Sequence, residues 1–323
     1  MDVCSGAGGL ALGLEQAGFE PVLLLDILEV ACESLKLNRP EWDVRQLELR
    51  AFNPVDEQQV YDVDLLSAGL PRVQAAAVGR SRGSAEEVEL LEATIMLMHG
   101  MRPRALLIEN LADLVEKDRF RSARDFVEAE LEHLGYRYTW FVVNAADYGV
   151  PQDRRQGMLV ALEGDLMDNF AQPPRIMEPP VTVGDALGES MAARGWTQAH
   201  EWALHADRIA PTLVGGSWSR GGGDLGPSGT KKAWQRMGVN GGSIADEVPG
   251  PEYSWRPDLA QADLVRLTVD QAARLQGFPP DWKFVGRKTA RYRQVGNASP
   301  PPVGRAVGEA LRSALTTPRA SPV

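Results

Sequence analysis

Only two cysteines and four histidines occur among the 323 residues. Two thiols close one bridge at most and cannot furnish a four-ligand zinc site, so neither disulfides nor a structural metal carries this fold, and no metal site is expected. No apolar run approaches the roughly 18–20 residues needed to cross a bilayer, which excludes a helical membrane protein. The opening Met1-Asp2-Val3-Cys4 lacks a basic stretch followed by an apolar one, so no secretory signal is expected and the chain reads as cytoplasmic. Cations are in the minority as well: 34 Lys and Arg face 44 Asp and Glu, for a formal net charge of −10. Any affinity for a polyanion therefore has to be local.

What is present is an ordinary globular composition, 44% hydrophobic and 24% charged, long enough for one large or two modest domains. The charge is uneven. Residues 1–150 hold 14 basic and 26 acidic side chains, leaving 20 and 18 for the remainder. Within residues 215–305 there are 13 basic and 8 acidic side chains, interleaved with Trp218, Trp234, Trp255, Trp282 and Tyr292. Such a stretch reads either as a surface for a polyanion or as solvated charge over packed tryptophans.

Hydrophobic patterning over the first 165 residues alternates between short apolar runs and helical spacing, which predicts a parallel sheet with crossover helices. Strands are expected at 21–27, 64–67, 104–108, 137–144 and 158–162, and helices at 10–18, 28–37, 85–101 and 121–134. Four prolines between Pro173 and Pro180 mark a boundary. Beyond it, residues 215–250 are rich in glycine and short polar residues and predict loops and short strands; 268–276 and 301–315 return to helical spacing, and 316–323 form a tail.

The segment Asp2-Val3-Cys4-Ser5-Gly6-Ala7-Gly8-Gly9-Leu10 reads as a strand end, a glycine turn and a helix start, which brings backbone amides up to a polar ligand. Asp26, at the end of the next strand, is placed to accept hydrogen bonds from a ribose, and the pair points to an adenosine-type ligand. A tight turn beside a strand-end carboxylate is the plainer alternative.

With Gly69-Leu70-Pro71, Glu109-Asn110-Leu111, Tyr148-Gly149-Val150-Pro151-Gln152-Asp153-Arg154-Arg155 and Gly296-Asn297-Ala298-Ser299-Pro300-Pro301-Pro302 following in order, the chain resembles the cytosine-5 DNA methyltransferases over essentially its whole length. Ala210 to Gly216 and Arg266 to Pro279 also look like family segments, and residues 222–249 are similar to one bacterial subgroup of modification methylases. The resemblance implies an α/β fold: a doubly wound, Rossmann-like sheet of the S-adenosylmethionine-dependent type in residues 1–164, a smaller, loop-rich target-recognition domain in 165–262, and a C-terminal segment, 263–323, packing back on the first. It implies S-adenosylmethionine or S-adenosylhomocysteine as cofactor. Ser5, Gly6, Gly8, Gly9 and Leu10 would lie under the methionine part, Asp26 and Ile27 at the ribose, and Glu48 near the adenine, with Gly69, Asn297 and Ala298 completing the pocket. Cys4 stands where the family has Phe, and Glu48 where it has Asp.

The departure that matters most is at the nucleophile. The family's cysteine, which follows a proline, adds to C6 of a flipped cytosine and so activates C5. Here Pro71 is followed by Arg72, and Val73 to Arg80 lack the family's proline, aromatic and serine. A guanidinium stays protonated and offers only donors. Neither Cys4 nor Cys32 is an obvious substitute. Glu109 matches the glutamate that holds the cytosine edge, a capping acid at a strand end being the plainer alternative, and Arg154 matches the first arginine of a Gln-x-Arg-x-Arg support whose second arginine is replaced by Gln156.

Duplex DNA is the implied partner, with Arg80, Arg220, Lys231, Lys232, Arg236, Arg287, Lys288, Arg291 and Arg293 as candidates near phosphates. Any one of them is ordinarily a solvated charge; the cluster is the signal. The resulting expectation is a DNA-binding, catalytically inactive methyltransferase relative with a regulatory or specificity role, possible partners being an active methyltransferase or a restriction enzyme. The alternatives are an active enzyme using a partner chain or an atypical nucleophile, and a ligand-free interaction module.

Overall fold

The computed structural model describes residues 1–71, 82–176, 178–215 and 223–316, and for residues 82–87 the backbone alone. In chain order the elements are β1 (Asp2–Val3), α1 (Gly9–Gln16), β2 (Leu24–Asp26), α2 (Glu29–Asn38), β3 (Val44–Gln46), β4 (Leu65–Gly69), α3 (Arg82–Met101), β5 (Ala105–Leu111), α4 (Ala112–Glu116), α5 (Arg121–His133), β6 (Tyr136–Asn144), β7 (Gln152–Asp153), β8 (Arg155–Glu163), α6 (Val183–Ala192), α7 (Ala199–His205), β9 (Ala210–Pro211), α8 (Ser228–Gln235), α9 (Val269–Leu275), α10 (Lys288–Asn297) and α11 (Pro301–Thr316). The chain divides into two compact units: Met1–Val143, Arg155–Pro174 and Val303–Val323, and Asn144–Arg154 with Arg175–Pro302.

The first unit is built on a seven-stranded sheet of order β3-β2-β1-β4-β5-β8-β6. β3, β2, β1, β4 and β5 run parallel, and β8 pairs antiparallel with β5. The sheet is thus of the doubly wound α/β class, with one antiparallel inner strand that the parallel patterning did not announce. Apolar runs explain the inner positions: Ala105 to Ile108 of β5 and Met158 to Leu162 of β8 are buried throughout, as strands covered on both faces must be. On α5, Ala123, Val127 and Leu131 recur every four residues and are buried, giving the stripe that seats the helix on the core. α11 lies against α1 at very short range. A Cβ on Gly304 would stand 3.1 Å from the Leu10 carbonyl, and one on Gly308 would stand 2.7 Å from Ala17 Cβ, so larger residues would force the helices apart.

The second unit is helical and short-stranded. Its only named strand pair among the described residues is β7 with β9, parallel, in the register Gln152–Ala210 and Asp153–Pro211. Thr182 and Thr268 begin α6 and α9 with reciprocal capping hydrogen bonds to Asp185 and Gln271. Trp196, Trp202, Trp234 and Trp255 are fully buried, and Gln198 clasps the backbone of Trp255 at both its amide and its carbonyl. Of the aromatics in the 215–305 stretch, Trp234, Trp255, Trp282 and Tyr292 are core residues, while Trp218 lies outside the described residues. Among its described residues the glycine-rich 215–250 segment holds one two-turn helix, α8, and no long one.

One buried charge stands out in the first unit. The Asp2 carboxyl is buried; it accepts a 2.5 Å hydrogen bond from the Ser67 hydroxyl on β4, and its Oδ2 has no partner. Burial pushes its pKa up to about 6, the Ser5 and Ser67 donors holding it down only in part. An acid raised on folding contributes its full stability below the unfolded value near 4 and loses it as pH rises through the folded value. Asp2→Asn should remove this dependence: between pH 4 and 8, urea unfolding of the parent should lose about 2–3 kcal/mol more than the variant.

Candidate functional site

In the first unit, the carboxyl ends of β1, β2 and β4 lie side by side, with Val3 opposite Leu25 and Ala68. Between β1 and β4 the chain order reverses, the place where open parallel sheets leave a crevice. The turn after β1 is shaped by backbone. Gly6 (φ 53°) and Gly8 (φ 84°) take left-handed conformations, and Cys4 does so too at φ 53°. Asp26 holds this turn: Oδ2 accepts from the Gly6 amide at 2.7 Å, and Oδ1 from the Leu28 amide at 2.8 Å. Burial raises its pKa, and those amides oppose the rise.

Ser5, Gly8, Gly9, Leu10, Ile27, Glu48 and Gly69, also singled out from the sequence, belong to the same unit. Ser5 is buried, its amide bonded to the Leu25 carbonyl, and Gly8, Gly9 and Leu10 open α1 without a side-chain cap. Space beyond Gly6 is open, and a Cβ on Gly69 would meet only the Cys4 carbonyl, at 3.5 Å. Ile27 is 58% exposed beside the buried Asp26. Glu48 is half-buried and is ion-paired with Arg50, whose Nε lies 2.8 Å from its Oε1.

Further along the same sheet edge, β5 carries Glu109 and Asn110, both buried. The Asn110 side-chain amide donates to the Pro71 carbonyl at 3.3 Å, pinning the chain where Arg72 begins; Arg72 itself, like Arg80 and Arg220, lies outside the described residues. Gln156 Nε2 donates to Glu109 Oε1 at 2.6 Å. The antiparallel register, Leu111 opposite Gln156, places Gln156 and Glu109 on one face as diagonal neighbours. Gly157 permits this close approach: a Cβ there would come within 2.6 Å of the Leu111 carbonyl.

Both cysteines are poor nucleophiles where they stand. The Cys4 thiol is pushed far up, by burial first and then by Asp26, Asp2 and Glu48. Cys32, buried on α2 with its Sγ 3.5 Å from the Asp26 carbonyl, is pushed up to about 11, again chiefly by burial. At pH 8 Cys32 in the folded protein should react with iodoacetamide on the order of 100-fold more slowly than a free thiol and Cys4 more slowly still, both becoming reactive on unfolding, as mass spectrometry would show.

In the second unit, Arg154 is buried, and its guanidinium donates to the Leu213, Gly296 and Ala298 carbonyls at 2.9, 3.3 and 2.9 Å. It is a positioning residue that ties three backbone segments together. Gln152 and Gln276, which were not singled out from the sequence, extend the network: Gln152 donates to Gln276 Oε1 and accepts from the Leu213 amide, and Gln276 donates to Ala298. The signal was present as a period-two alternation, with Gln152, Arg154 and Gln156 buried and Asp153 and Arg155 exposed. Asn297 is exposed in this unit; a Cβ on Gly215 would stand 2.5 Å from its Oδ1 and 2.4 Å from the Arg293 carbonyl, so only glycine fits there. Ala298 is buried. Replacing Arg154 by Met removes this donor from the Leu213 and Gly296 carbonyls, Ala298 keeping that of Gln276, and should lower unfolding stability by about 2–3 kcal/mol in denaturant melts.

The basic candidates lie in the same unit. Lys232 and Arg236, at α8, and Arg287, preceding α10, are exposed, and Arg291 and Arg293 are half-buried along α10. Lys231 and Lys288 are each 2.9 Å from a carboxylate, of Asp224 and Asp246 respectively. Among the described residues no cluster of His, Cys, Asp and Glu is arranged to hold a metal ion, and no helix is long and apolar enough to cross a membrane.

Residues 1–313 match the family model of C-5 cytosine-specific DNA methylases. The chain is 39% identical to the type II methyltransferase M.NaeI of Lentzea aerocolonigenes, across 98% of this chain and 75% of that protein. It is 38% identical to the type II methyltransferase M.NgoMIV of Neisseria gonorrhoeae, across 98% and 97%. The crystal structure of the S. pombe Dnmt2 methyltransferase, at 18% identity, superposes with a TM-score of 0.65 over 98% of either chain and shares the fold. By its ordered motifs, its sheet and these likenesses, the chain belongs to the C-5 cytosine-specific DNA methylase family.

Proposed function

We propose that this protein binds duplex DNA together with S-adenosylmethionine or S-adenosylhomocysteine and does not methylate cytosine by the thiolate route, serving a regulatory or specificity role. One observation carries the reading: Arg72 follows Pro71, at the position from which the family's cysteine attacks. Cytosine C5 attacks a methyl group only after a nucleophile has added at C6, and a protonated guanidinium has no lone pair to give. Cys4 follows β1, two strands from the β5 that carries Glu109, at about 4.8 Å per strand, and Cys32 lies beyond it on α2. Burial raises the pKa of both thiols, which supports neither as the nucleophile.

The cofactor turn fits its ligand: open space at Gly6, a carboxylate that fixes the turn, and an exposed apolar side chain at Ile27. Ser5 to Leu10 would hold the methionine part, Asp26 and Ile27 the ribose, and Glu48 the adenine. The group supplies an electrophilic methyl when bound. For DNA, exposed Lys232, Arg236 and Arg287 would meet phosphates, giving salt-dependent, sequence-tolerant affinity. The relatives' names as type II methyltransferases support a place beside a modification system.

The test is transfer of labelled methyl from S-adenosylmethionine to mixed-sequence duplex DNA, with the parent and Arg72→Cys side by side and cofactor affinity followed by calorimetry. The expected result is cofactor binding without incorporation by the parent, and a rise in melting temperature on adding duplex at low salt. Incorporation by the parent overturns the reading, and so does failure to bind both cofactor and DNA.

A further inference from the structure

A cleft of about 520 Å³ lies wholly within the first unit, at the amino ends of β1, β2 and β4, whereas the glycine turn and Asp26 lie at the carboxyl ends. Its volume falls in the range of small-molecule sites, roughly 300–1,000 Å³. Leu14, Phe19, Val22 and Leu315 line it and are buried or half-buried, giving it an apolar wall. Five carboxylates line it as well, those of Asp2, Glu15, Glu20, Asp62 and Asp64, against three cations, the Met1 amino group, Arg104 and Arg312.

The cations are already committed. Arg104 pairs with Asp64 at 3.0 Å and donates to the Leu315 carbonyl, Arg312 donates to the Ala17 carbonyl, and the Met1 amino group donates to the Leu65 carbonyl. Glu15 is taken by Arg39 at 2.8 Å. Glu20 and Asp62 are exposed and have no side-chain partner among the described residues. Beneath them lies Asp2, 5% exposed, with its Oδ2 unpartnered. Strand alternation aims it at the cleft: Val3 enters the core cluster with Leu23, Leu25 and Leu66, so Asp2 and its register partner Ser67 face the opposite side, where Leu14 of α1 and Leu315 of α11 line the same space.

We propose that this cleft binds an aliphatic polyamine, with one ammonium directed at Asp2, others at Glu20 and Asp62, and the methylenes along the apolar wall. A buried carboxylate oxygen without a donor calls for one, and a charged donor gives the stronger bond. A compact divalent metal fits poorly, since among the described residues no group of His, Cys, Asp and Glu is arranged to hold one. Acids set apart around an apolar wall suit a long cation whose charges are separated by methylenes. This site is distinct from the cofactor turn and does not depend on the DNA-binding reading.

The test is calorimetric titration of the full chain with spermidine, without DNA, at pH 7.5, above the Asp2 value of about 6. Saturable binding at one site is expected, with a dissociation constant on the order of 10–100 μM. Glu20→Gln with Asp62→Asn should weaken it by about 3- to 30-fold, the range for two partly screened ion pairs. Asp2→Asn should weaken it by about 10-fold or more, as for a lost hydrogen bond to a charged group. Glu33→Gln with Glu41→Gln makes the same charge change at exposed positions that do not line the cleft, and should stay within about twofold of the parent. Magnesium chloride at matched ionic strength should leave spermidine bound. If Asp2→Asn does not fold, the pair at Glu20 and Asp62, both exposed, decides alone. No saturable binding by the parent, equal losses in the two double variants, or full displacement by magnesium overturns the inference.

Discussion

Burial of polar side chains along residues 152–156 is the constraint to which the rest of the molecule answers. An unmet donor or acceptor inside a protein costs about 1–3 kcal/mol, comparable with a large share of a domain's net stability. Gln152, Arg154 and Gln156 alternate inward along this short stretch, and each donates at least one hydrogen bond, Arg154 Nε alone of the guanidinium nitrogens remaining unmet. In the second unit, Gln152 and Arg154 gather the segments around Leu213, Gln276, Gly296 and Ala298. In the first, Gln156 meets Glu109. The glycines follow from the same demand: carbonyls can converge on Arg154 because Gly215 and Gly296 let backbone approach backbone, and Gln156 reaches Glu109 because Gly157 brings β8 close to β5.

The two halves of the electrostatics are separable for a related reason. The acidic excess lies in residues 1–150, the basic excess in 215–305. At physiological ionic strength charges are screened over about 8 Å, so the net charge of −10 has little say over what a basic cluster on α8 and α10 attracts. Within that cluster the ion pairs decide which cations are engaged already: Lys231 and Lys288 have carboxylate partners, while Lys232, Arg236 and Arg287 extend into solvent. Surface pairs of this kind are worth little, and a phosphate competes with them easily.

Much of this was legible in the sequence, for reasons that differ by feature. The parallel strands and their helices follow from apolar periodicity, and Leu24–Asp26, Leu65–Gly69 and Ala105–Leu111 fall where it placed them. The glycine turn and the strand-end acid were legible as neighbours at adjacent strand ends, but the bond from the Gly6 amide to Asp26 was not, since the acid was read as a ribose acceptor. The antiparallel sense of β8 was not, since pairing direction leaves no mark on a strand buried on both faces. The tryptophans were ambiguous because a large aromatic among lysines has the same composition whether it faces the core or a polyanion. Gln276 was missed because a glutamine in an apolar segment looks like surface until its partners, 124 and 22 residues away, are known.

The distinction between holding a base and transforming it turns on how few atoms each needs. Transformation by the family's route uses one thiolate at one place; Arg72 follows Pro71 there, and burial first, then nearby carboxylates, raises the pKa of Cys4 and Cys32. Recognition requires only that donors and acceptors be fixed, and those at Glu109 and in the Cys4–Gly9 turn are fixed by strand register and by Asp26. An apolar residue at 156 would have left a buried carboxylate without this donor, and a pocket with no further use for Glu109 would be more stable without the charge.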